Sequence, residues 1–152
     1  MMEEIKGIQT IKHLNLSKKD FVNGEFQEVI DQFESDKSKV EKLIFCSGKV
    51  FYDLEEKRHQ MKNSTVAIVR IEQLYPLPEE NVKKILDKYN KTKRIIWLQE
   101  EPANAGALSY IAQHLKIPSL EFITRPASAT PATGFHKHHH QEQEQILDKA
   151  FN

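Results

Sequence analysis

The 152-residue chain lacks several features that would restrict its class. It has a single cysteine, Cys46, so no internal disulfide can form, which favours a reducing cytosol over secretion. No run approaches the roughly 20 apolar residues needed to span a membrane. Met1 to Gly7 also lacks the basic start and apolar stretch of a signal peptide. We therefore expect a soluble, intracellular protein with no membrane partner.

An excess of either charge is also missing. Lys and Arg total 22, Asp and Glu total 22, and the formal net charge is zero. The bulk charge therefore gives no argument for nucleic acid as a partner. A chain of this length most plausibly forms one domain, long enough to bury roughly 70% of its unfolded surface.

The rest of the chain is organised around the stretch from Thr65 to Pro78. It begins with a β-branched apolar run, 66–69, which is too short for an ordinary helix and predicts a buried strand. Polar residues follow at once, and Pro78 then precedes two acids, as is typical of a helix start. The helix has apolar residues at the spacing of one face: Val82, Ile85, Leu86 and Tyr89.

The same strand and helix pattern occurs in three further places. Strands are predicted at 43–46, 95–98 and 120–123, with helices after 49, from about Ala105 and from about His139. Alternating strands and helices predict an α/β fold with a largely parallel sheet, helices on both faces and right-handed crossovers. The predicted buried helix residues are Val50, Phe51, Leu54 and Met61; Leu108, Ile111, Ala112 and Leu115; and Ile146, Leu147, Ala150 and Phe151.

Residues 1–40 are less regular and predict an N-terminal arm or connector, ahead of a domain over 41–152. The arm has one short amphipathic pattern at i, i+3, i+4 and i+7, through which we expect it to dock. Its apolar anchors are Phe21, Phe26, Val29, Ile30 and Phe33. Trp97 and Tyr52 fall on apolar patterns elsewhere, so core packing is expected for both.

Polar residues follow each predicted core strand, and a parallel sheet would gather them at one edge. Three interpretations are open: helix caps and solvated ion pairs, a protein interface, or a site for an anionic small molecule, since Arg suits carboxylate and phosphate. The turn at 47–49 resembles a fragment of a phosphate loop, although the chain lacks GxxxxGK[ST]. The candidates are Ser47, Gly48, Lys49, Arg70, Glu72, Gln73, Gln99, Glu100, Glu101, Arg125 and Ser128.

Two other patterns are typical of a metal site and of acid–base catalysis, but their spacing argues against both. His136, His138, His139 and His140 are potential metal ligands, yet consecutive helical residues diverge, so at most two could share one ion. Glu100 and Glu101 are adjacent on a strand end, diverge likewise, and have no nucleophile at a suitable spacing. We predict no catalytic residue and no purpose-built metal site in this chain.

Five segments of the chain form a recognisable series: LIFCSGKVFYDLEEKR (43–58), VAIVRIEQLYPLP (66–78), WLQEEPANAGAL (97–108), RPASATPATG (125–134) and HKHHHQEQEQILDKAF (136–151). In this order and with similar spacing, they closely resemble the C-terminal domain of 2-oxoglutarate dehydrogenases, the thiamine-diphosphate-dependent decarboxylating components of their complexes. The stretch FVNGEFQEVID (21–31) is similar to the connector before that domain, so the resemblance runs from about Lys12 to the end.

The resemblance implies a transketolase C-terminal-like fold: three α/β/α layers with a five-stranded, mostly parallel sheet that includes one antiparallel strand. It adds an edge strand that the periodicity does not locate. It also implies a parent enzyme that decarboxylates 2-oxoglutarate on thiamine diphosphate with Mg2+ in the tricarboxylic acid cycle. That enzyme passes the succinyl group to a lipoyl arm.

The cofactor site of that family includes a Gly-Asp-Gly motif, which this chain lacks. The resemblance therefore implies a structural and regulatory domain, inactive alone, with no cofactor of its own. Its implied partners are the upstream domains of the same polypeptide, a homodimer mate, and the succinyltransferase and lipoamide dehydrogenase components. The implied location is the bacterial cytoplasm, or the mitochondrial matrix in a eukaryote. A stand-alone module for an anionic metabolite or nucleotide, and a zinc-binding protein, are the alternatives.

Overall fold

The computed structural model describes residues 24–33, 35–130 and 134–152. Within these residues, five strands form one sheet: β1 Val29–Asp31, β2 Lys42–Cys46, β3 Val66–Ile71, β4 Arg94–Pro102 and β5 Leu120–Arg125. The helices are α1 Val50–Gln60, α2 Glu79–Lys88, α3 Leu108–His114 and α4 His136–Phe151, with a 3-10 turn at Lys37–Lys39.

The sheet has the order β1-β3-β2-β4-β5. β1 runs antiparallel to β3, whereas β2, β3, β4 and β5 are parallel. The predicted α/β class with a mostly parallel five-stranded sheet is therefore confirmed. The antiparallel strand implied by the resemblance is β1.

Alternating residues of the strands point to two separate cores. Leu43 and Phe45 of β2 face one core, whose helical residues come from α2 and α3. Ile44 and Cys46 face the other core, whose helical residues come from α1 and α4. The sheet thus lies between two helical layers, and its strands β2 and β3 are buried on both faces. Trp97 is fully buried, as predicted, and Tyr52 is half-buried.

The first strand, β1, comes from the predicted N-terminal arm and includes Val29 and Ile30 of its amphipathic pattern. Its helical spacing corresponds to no helix, because 29–31 pair with β3 as an edge strand. Phe33 is buried, but the prediction of Phe26 as an anchor is wrong, since its side chain is 70% exposed ahead of the strand. Phe21 lies outside the described residues.

Other boundaries also differ from the predictions. Met61 was predicted to be buried but is 51% exposed, because α1 ends at Gln60. Ala112 was also predicted to be buried but is exposed, because Ile111 is the buried residue of the seven-residue α3. The last helix begins at His136, three residues earlier than expected, after an extended Phe135. Among the described residues, no helix combines the length and apolar character needed to cross a membrane.

Candidate functional site

The crevice at the carboxyl ends of β2 and β4 is where the chain changes sides. After β2 the chain enters α1 on one face of the sheet, and after β4 it enters α3 on the other face. Adjacent loops that leave in opposite directions open a crevice, the usual position of binding sites in open α/β sheets. A cleft of about 430 Å³ lies there, lined by Ser47, Gly48, Leu74, Tyr75, Trp97, Gln99, Glu101, Gly106, Ala107 and Tyr110.

Two tyrosines stand beside each other at this cleft. Tyr75 follows β3 and is 82% exposed, and Tyr110 lies on the first turn of α3. Their ring centroids are 6.3 Å apart at an interplanar angle of 68°, an edge-to-face contact. His114 continues the aromatic row, with its ring centroid 4.3 Å from that of Tyr110. One side of the cleft is therefore an exposed aromatic surface.

The floor of the cleft is a closed hydrogen-bond network around Gln99. Its Oε1 accepts from Nε1 of the buried Trp97 at 3.2 Å, and its Nε2 donates to the carbonyl oxygen of Ala105 at 2.8 Å. Nε2 also lies 3.3 Å from the carbonyl oxygen of Pro102. Gln99 is 3% exposed, so these bonds satisfy a buried amide and hold the loop after β4 in place.

Gly106 lets this loop lie against the strand. It has a φ of +66°, and a Cβ at this position would lie 2.9 Å from Nε2 of Gln99 and 3.0 Å from Cβ of Glu101. Both the backbone conformation and the space therefore require glycine. Gly48 also has a positive φ, +74°, but an added Cβ there would meet no atom within 4 Å.

The charge on the described lining of the cleft is negative. Glu101 contributes a carboxylate that forms no ion pair with any described residue, and no Lys or Arg is among the described lining residues. Lys49 turns instead to Glu100, at 3.9 Å between Nζ and Oε2. The cleft is consequently apolar, aromatic and acidic.

Arg70 lies on the opposite face of the sheet, within β3 rather than after it as predicted. Its guanidinium carbon is 4.6 Å from the ring centroid of Phe51. Its Nη1 donates to the hydroxyl of Tyr52 at 2.8 Å, and its Nε lies 2.6 Å from Oε1 of Glu72. Arg70 is 7% exposed, so its charge is neutralised and stacked inside the fold.

Arg125 occupies an equivalent buried position at the end of β5. Its Nη2 donates to Oε1 of Gln143 at 2.7 Å, and Nε2 of Gln143 donates to Asp53 at 2.7 Å. Its Nη1 lies 3.0 Å from Nδ1 of His139 and 3.6 Å from Glu142. This network joins β5, α4 and α1.

The predicted strand-end residues thus lie at the carboxyl edge but divide between two faces. Ser47, Gly48, Gln99 and Glu101 line the cleft with α3. The arginines lie on the face of α1 and α4. The remaining candidates are at the rim: Lys49 with Glu100, Glu72 with Arg70, Gln73 with the carbonyl of Pro76, and Ser128 with Asn104. Their role as an interface or an anion site stays a prediction.

Sequence reasoning missed the aromatic wall of the cleft. Tyr75 lies in a loop, next to Pro76 and beyond a buried strand, where no periodicity marks it. A large aromatic in such a loop is the signal that was available, since loops past strand ends commonly carry binding residues. Tyr110 is hidden by its position inside the apolar pattern of α3.

Neither a metal ion nor thiamine diphosphate fits the residues of 24–33, 35–130 and 134–152. Among the described residues, no three His, Cys, Asp or Glu side chains are arranged to hold a metal ion. Nδ1 of His139 is hydrogen-bonded to Arg125. The ring centroid of His138 lies 6.2 Å from that of Phe135. A diphosphate would meet the Glu101 carboxylate in the cleft without a described base to balance it.

Comparisons with known proteins identify the family of this chain. The family model described as 2-oxoglutarate dehydrogenase C-terminal matches residues 16–151. The chain is 44% identical over 142 residues to the 2-oxoglutarate dehydrogenase E1 component of Azotobacter vinelandii, covering 87% of this chain and 15% of that protein. It is 44% identical over 140 residues to the E1 component of Haemophilus influenzae, covering 88% and 15%.

A third relative, the oxoglutarate dehydrogenase of Buchnera aphidicola, is 41% identical over 136 residues, with 86% of this chain and 15% of the relative covered. The chain therefore spans about 15% of the length of the curated relatives it matches. A match over almost the whole chain nevertheless shows the family. The chain belongs to the 2-oxoglutarate dehydrogenase C-terminal family.

Proposed function

We propose that this chain acts as the C-terminal domain of a 2-oxoglutarate dehydrogenase E1 polypeptide, and that it docks on the other domains rather than carrying out chemistry. The observation that carries the proposal is the match to 15% of each E1 relative. The buried arginines at the carboxyl edge, Arg70 and Arg125, already face carboxylates of this domain. The proposed parent reaction is thiamine-dependent oxidative decarboxylation of 2-oxoglutarate, with succinyl transfer to lipoyl groups.

The docking role is supported by the carboxyl edge of the sheet. Its arginines are buried in hydrogen-bond and ion-pair networks, whereas Tyr75 is 82% exposed. Glu101 forms no ion pair with any described residue. A preorganised polar rim around an apolar centre is the usual anatomy of a protein interface. Within this proposal residues 1–40 serve as the connector, and 41–152 form the docked domain.

The cofactors and partners belong to the proposed whole enzyme. Thiamine diphosphate and Mg2+ would bind to upstream domains, because the residues that the structure describes do not fit them. The proposed partners are the upstream domains, a second E1 copy in a homodimer, and the succinyltransferase and lipoamide dehydrogenase components. The proposed location is the cytoplasm of a bacterium, or the mitochondrial matrix of a eukaryote.

An independent module for anionic metabolites is less well supported. Arg70 and Arg125 are only 7% and 5% exposed, and their guanidinium groups are occupied by aromatic rings, amides and carboxylates. The open cleft carries Glu101, whose charge would repel an anion. An anion would therefore have to displace existing partners of the arginines.

The test is the native size of the polypeptide that carries this segment. An antibody against residues 136–151 would be applied to a lysate of the source organism. We expect a band far larger than the 17.7 kDa of this chain. A band at 17.7 kDa would contradict the proposal, and isothermal titration calorimetry with nucleotides and acyl-CoA would then test the independent module.

A further inference from the structure

We propose that the cleft between β2, β4 and α3 receives an arginine side chain from another part of the same E1 assembly. This inference rests on the proposed docking function and specifies the chemistry of the segment that docks. The juxtaposition that carries it is an aromatic wall, formed by the exposed Tyr75 and the half-buried Tyr110, next to Glu101, whose carboxylate pairs with no described base.

The aromatic wall favours a cation with a flat apolar surface. Tyr75 exposes 82% of its surface although its ring is fixed edge to face on Tyr110. The faces of tyrosine rings carry negative potential, so they attract a guanidinium or ammonium group. Leu74 and Ala107 supply apolar surface for the methylene stem of such a side chain.

Charge complementarity determines the sign of the occupant. Glu101 is the only charged residue among the described lining residues, and its carboxylate has no described base beside it. The other acid nearby, Glu100, is the one that Lys49 approaches. A partner that covered this cleft with an apolar or acidic segment would desolvate Glu101 without compensation.

The neighbouring polar groups favour arginine among cations. Both ends of the Gln99 amide are used by Trp97 and the loop carbonyls, so the Glu101 carboxylate is the side-chain acceptor that the described lining offers to a cation. A guanidinium can stack on a tyrosine ring and donate two parallel hydrogen bonds to one carboxylate. A cleft of about 430 Å³ is ample for one such side chain and its flanking backbone.

The experiment is photo-cross-linking in the whole native polypeptide, with p-benzoylphenylalanine in place of Tyr75. Mass spectrometry would identify the attached peptide, and we expect a segment of the same E1 polypeptide with an arginine near the cross-link. The variant Glu101→Arg should lower the cross-link yield about tenfold or more, because it places two cations together. Exchanging the identified arginine for glutamate in that variant should restore the yield.

A matched control is Glu144→Arg, which changes an exposed acid on α4, in the other helical layer. It should leave the yield unchanged. A cross-link to a segment of E1 without a basic residue would overturn the arginine inference but leave the docking proposal standing. Failure of the reciprocal exchange to restore the yield would also overturn it. No cross-linked peptide at all would overturn both the inference and the docking role of this cleft.

Discussion

Arg125 and His139 are joined by a hydrogen bond of 3.0 Å between Nη1 and Nδ1. Because a guanidinium only donates, Nδ1 of His139 must be the acceptor, and the ring must be neutral with its proton on Nε2. Burial and the charge of Arg125 both lower the pKa of His139 from its ordinary value of 6.5. The helix α4 is therefore held on the sheet through an unprotonated histidine.

The first prediction concerns pH. Since the pKa of His139 is lower in the folded state, its stabilising contribution is present above about pH 6.5 and is lost as the pH falls through the folded value. Lys49 and His140 also oppose protonation, whereas Glu100 favours it. His139→Gln keeps an acceptor for Arg125 without a titrating group.

Urea unfolding at several pH values would measure this effect. From about pH 7.5 to 5.5, the free energy of unfolding of the native sequence should fall more steeply than that of His139→Gln. Equal slopes for the two proteins would show that the contact with Arg125 does not couple protonation to folding.

The second prediction concerns the buried charge of Arg70. Tyr52→Phe removes the hydroxyl that accepts from Nη1 at 2.8 Å and leaves the ring in place. We expect a loss of about 1.5–3 kcal/mol in the free energy of unfolding, the range for a hydrogen bond to a charged group. Arg70→Ala should cost more, because it also removes the stacking on Phe51 and leaves Glu72 unpaired.

In the whole enzyme, Arg70→Ala should therefore impair assembly or stability more than intrinsic turnover. Native mass, thermal unfolding and turnover per assembled site would separate these effects. A variant with normal assembly and stability but lost turnover would contradict a purely structural role for Arg70.

The fold could be predicted from the sequence because β2 and β3 are buried on both faces. Runs such as 43–46 and 66–69 are continuous in apolar residues, and each is followed by a helical period, so the α/β class follows directly. β1 could not be found in this way. Its three residues pair at an edge, and the spacing of Val29, Ile30 and Phe33 imitates a helical face.

For the candidate site, the sequence predicted only that certain polar residues lie at the carboxyl edge of the sheet. The predicted position after a strand brings Ser47, Gln99 and Glu101 to the same edge, although β4 continues to Pro102 and so includes Gln99 and Glu101. Such a prediction does not say on which face a side chain lies. Arg70 and Arg125 are turned inward by the alternation of their strands, towards α1 and α4. Tyr75 lines the cleft because the loop after β3 places it there, and hydrophobic periodicity does not predict the path of a loop.

The third prediction concerns the loop after β4. Gly106→Ala combines a positive φ with contacts of 2.9 Å and 3.0 Å to side chains of Gln99 and Glu101. Gly48→Ala has a similar φ and no neighbour within 4 Å, so it reports the backbone cost alone, about 1 kcal/mol. We expect Gly106→Ala to cost about 1–2 kcal/mol more in thermal or urea unfolding. Equal losses would mean that the loop moves away from Gln99 without penalty.

The fourth prediction tests how β1, part of the proposed connector, is held on the sheet. Asp31, at the end of β1, accepts from the hydroxyl of Tyr89 at 3.0 and 2.9 Å and forms an ion pair with Lys88. The Asp31 side chain is only 6% exposed, so it depends on these partners. Tyr89→Phe removes the hydroxyl but keeps the ring against Phe33.

We expect Tyr89→Phe to lower the free energy of unfolding by about 1.5–3 kcal/mol, as for other hydrogen bonds to a charged group. Hydrogen exchange should quicken most at the amides of 29–31, because an edge strand opens locally once its anchor is weakened. Tyr75→Phe is the matched control, since its hydroxyl belongs to an 82% exposed side chain, and its effect should stay within about 0.5 kcal/mol. If Tyr89→Phe changes exchange in β2 as much as in β1, the connector is an inseparable part of the core rather than a docked segment.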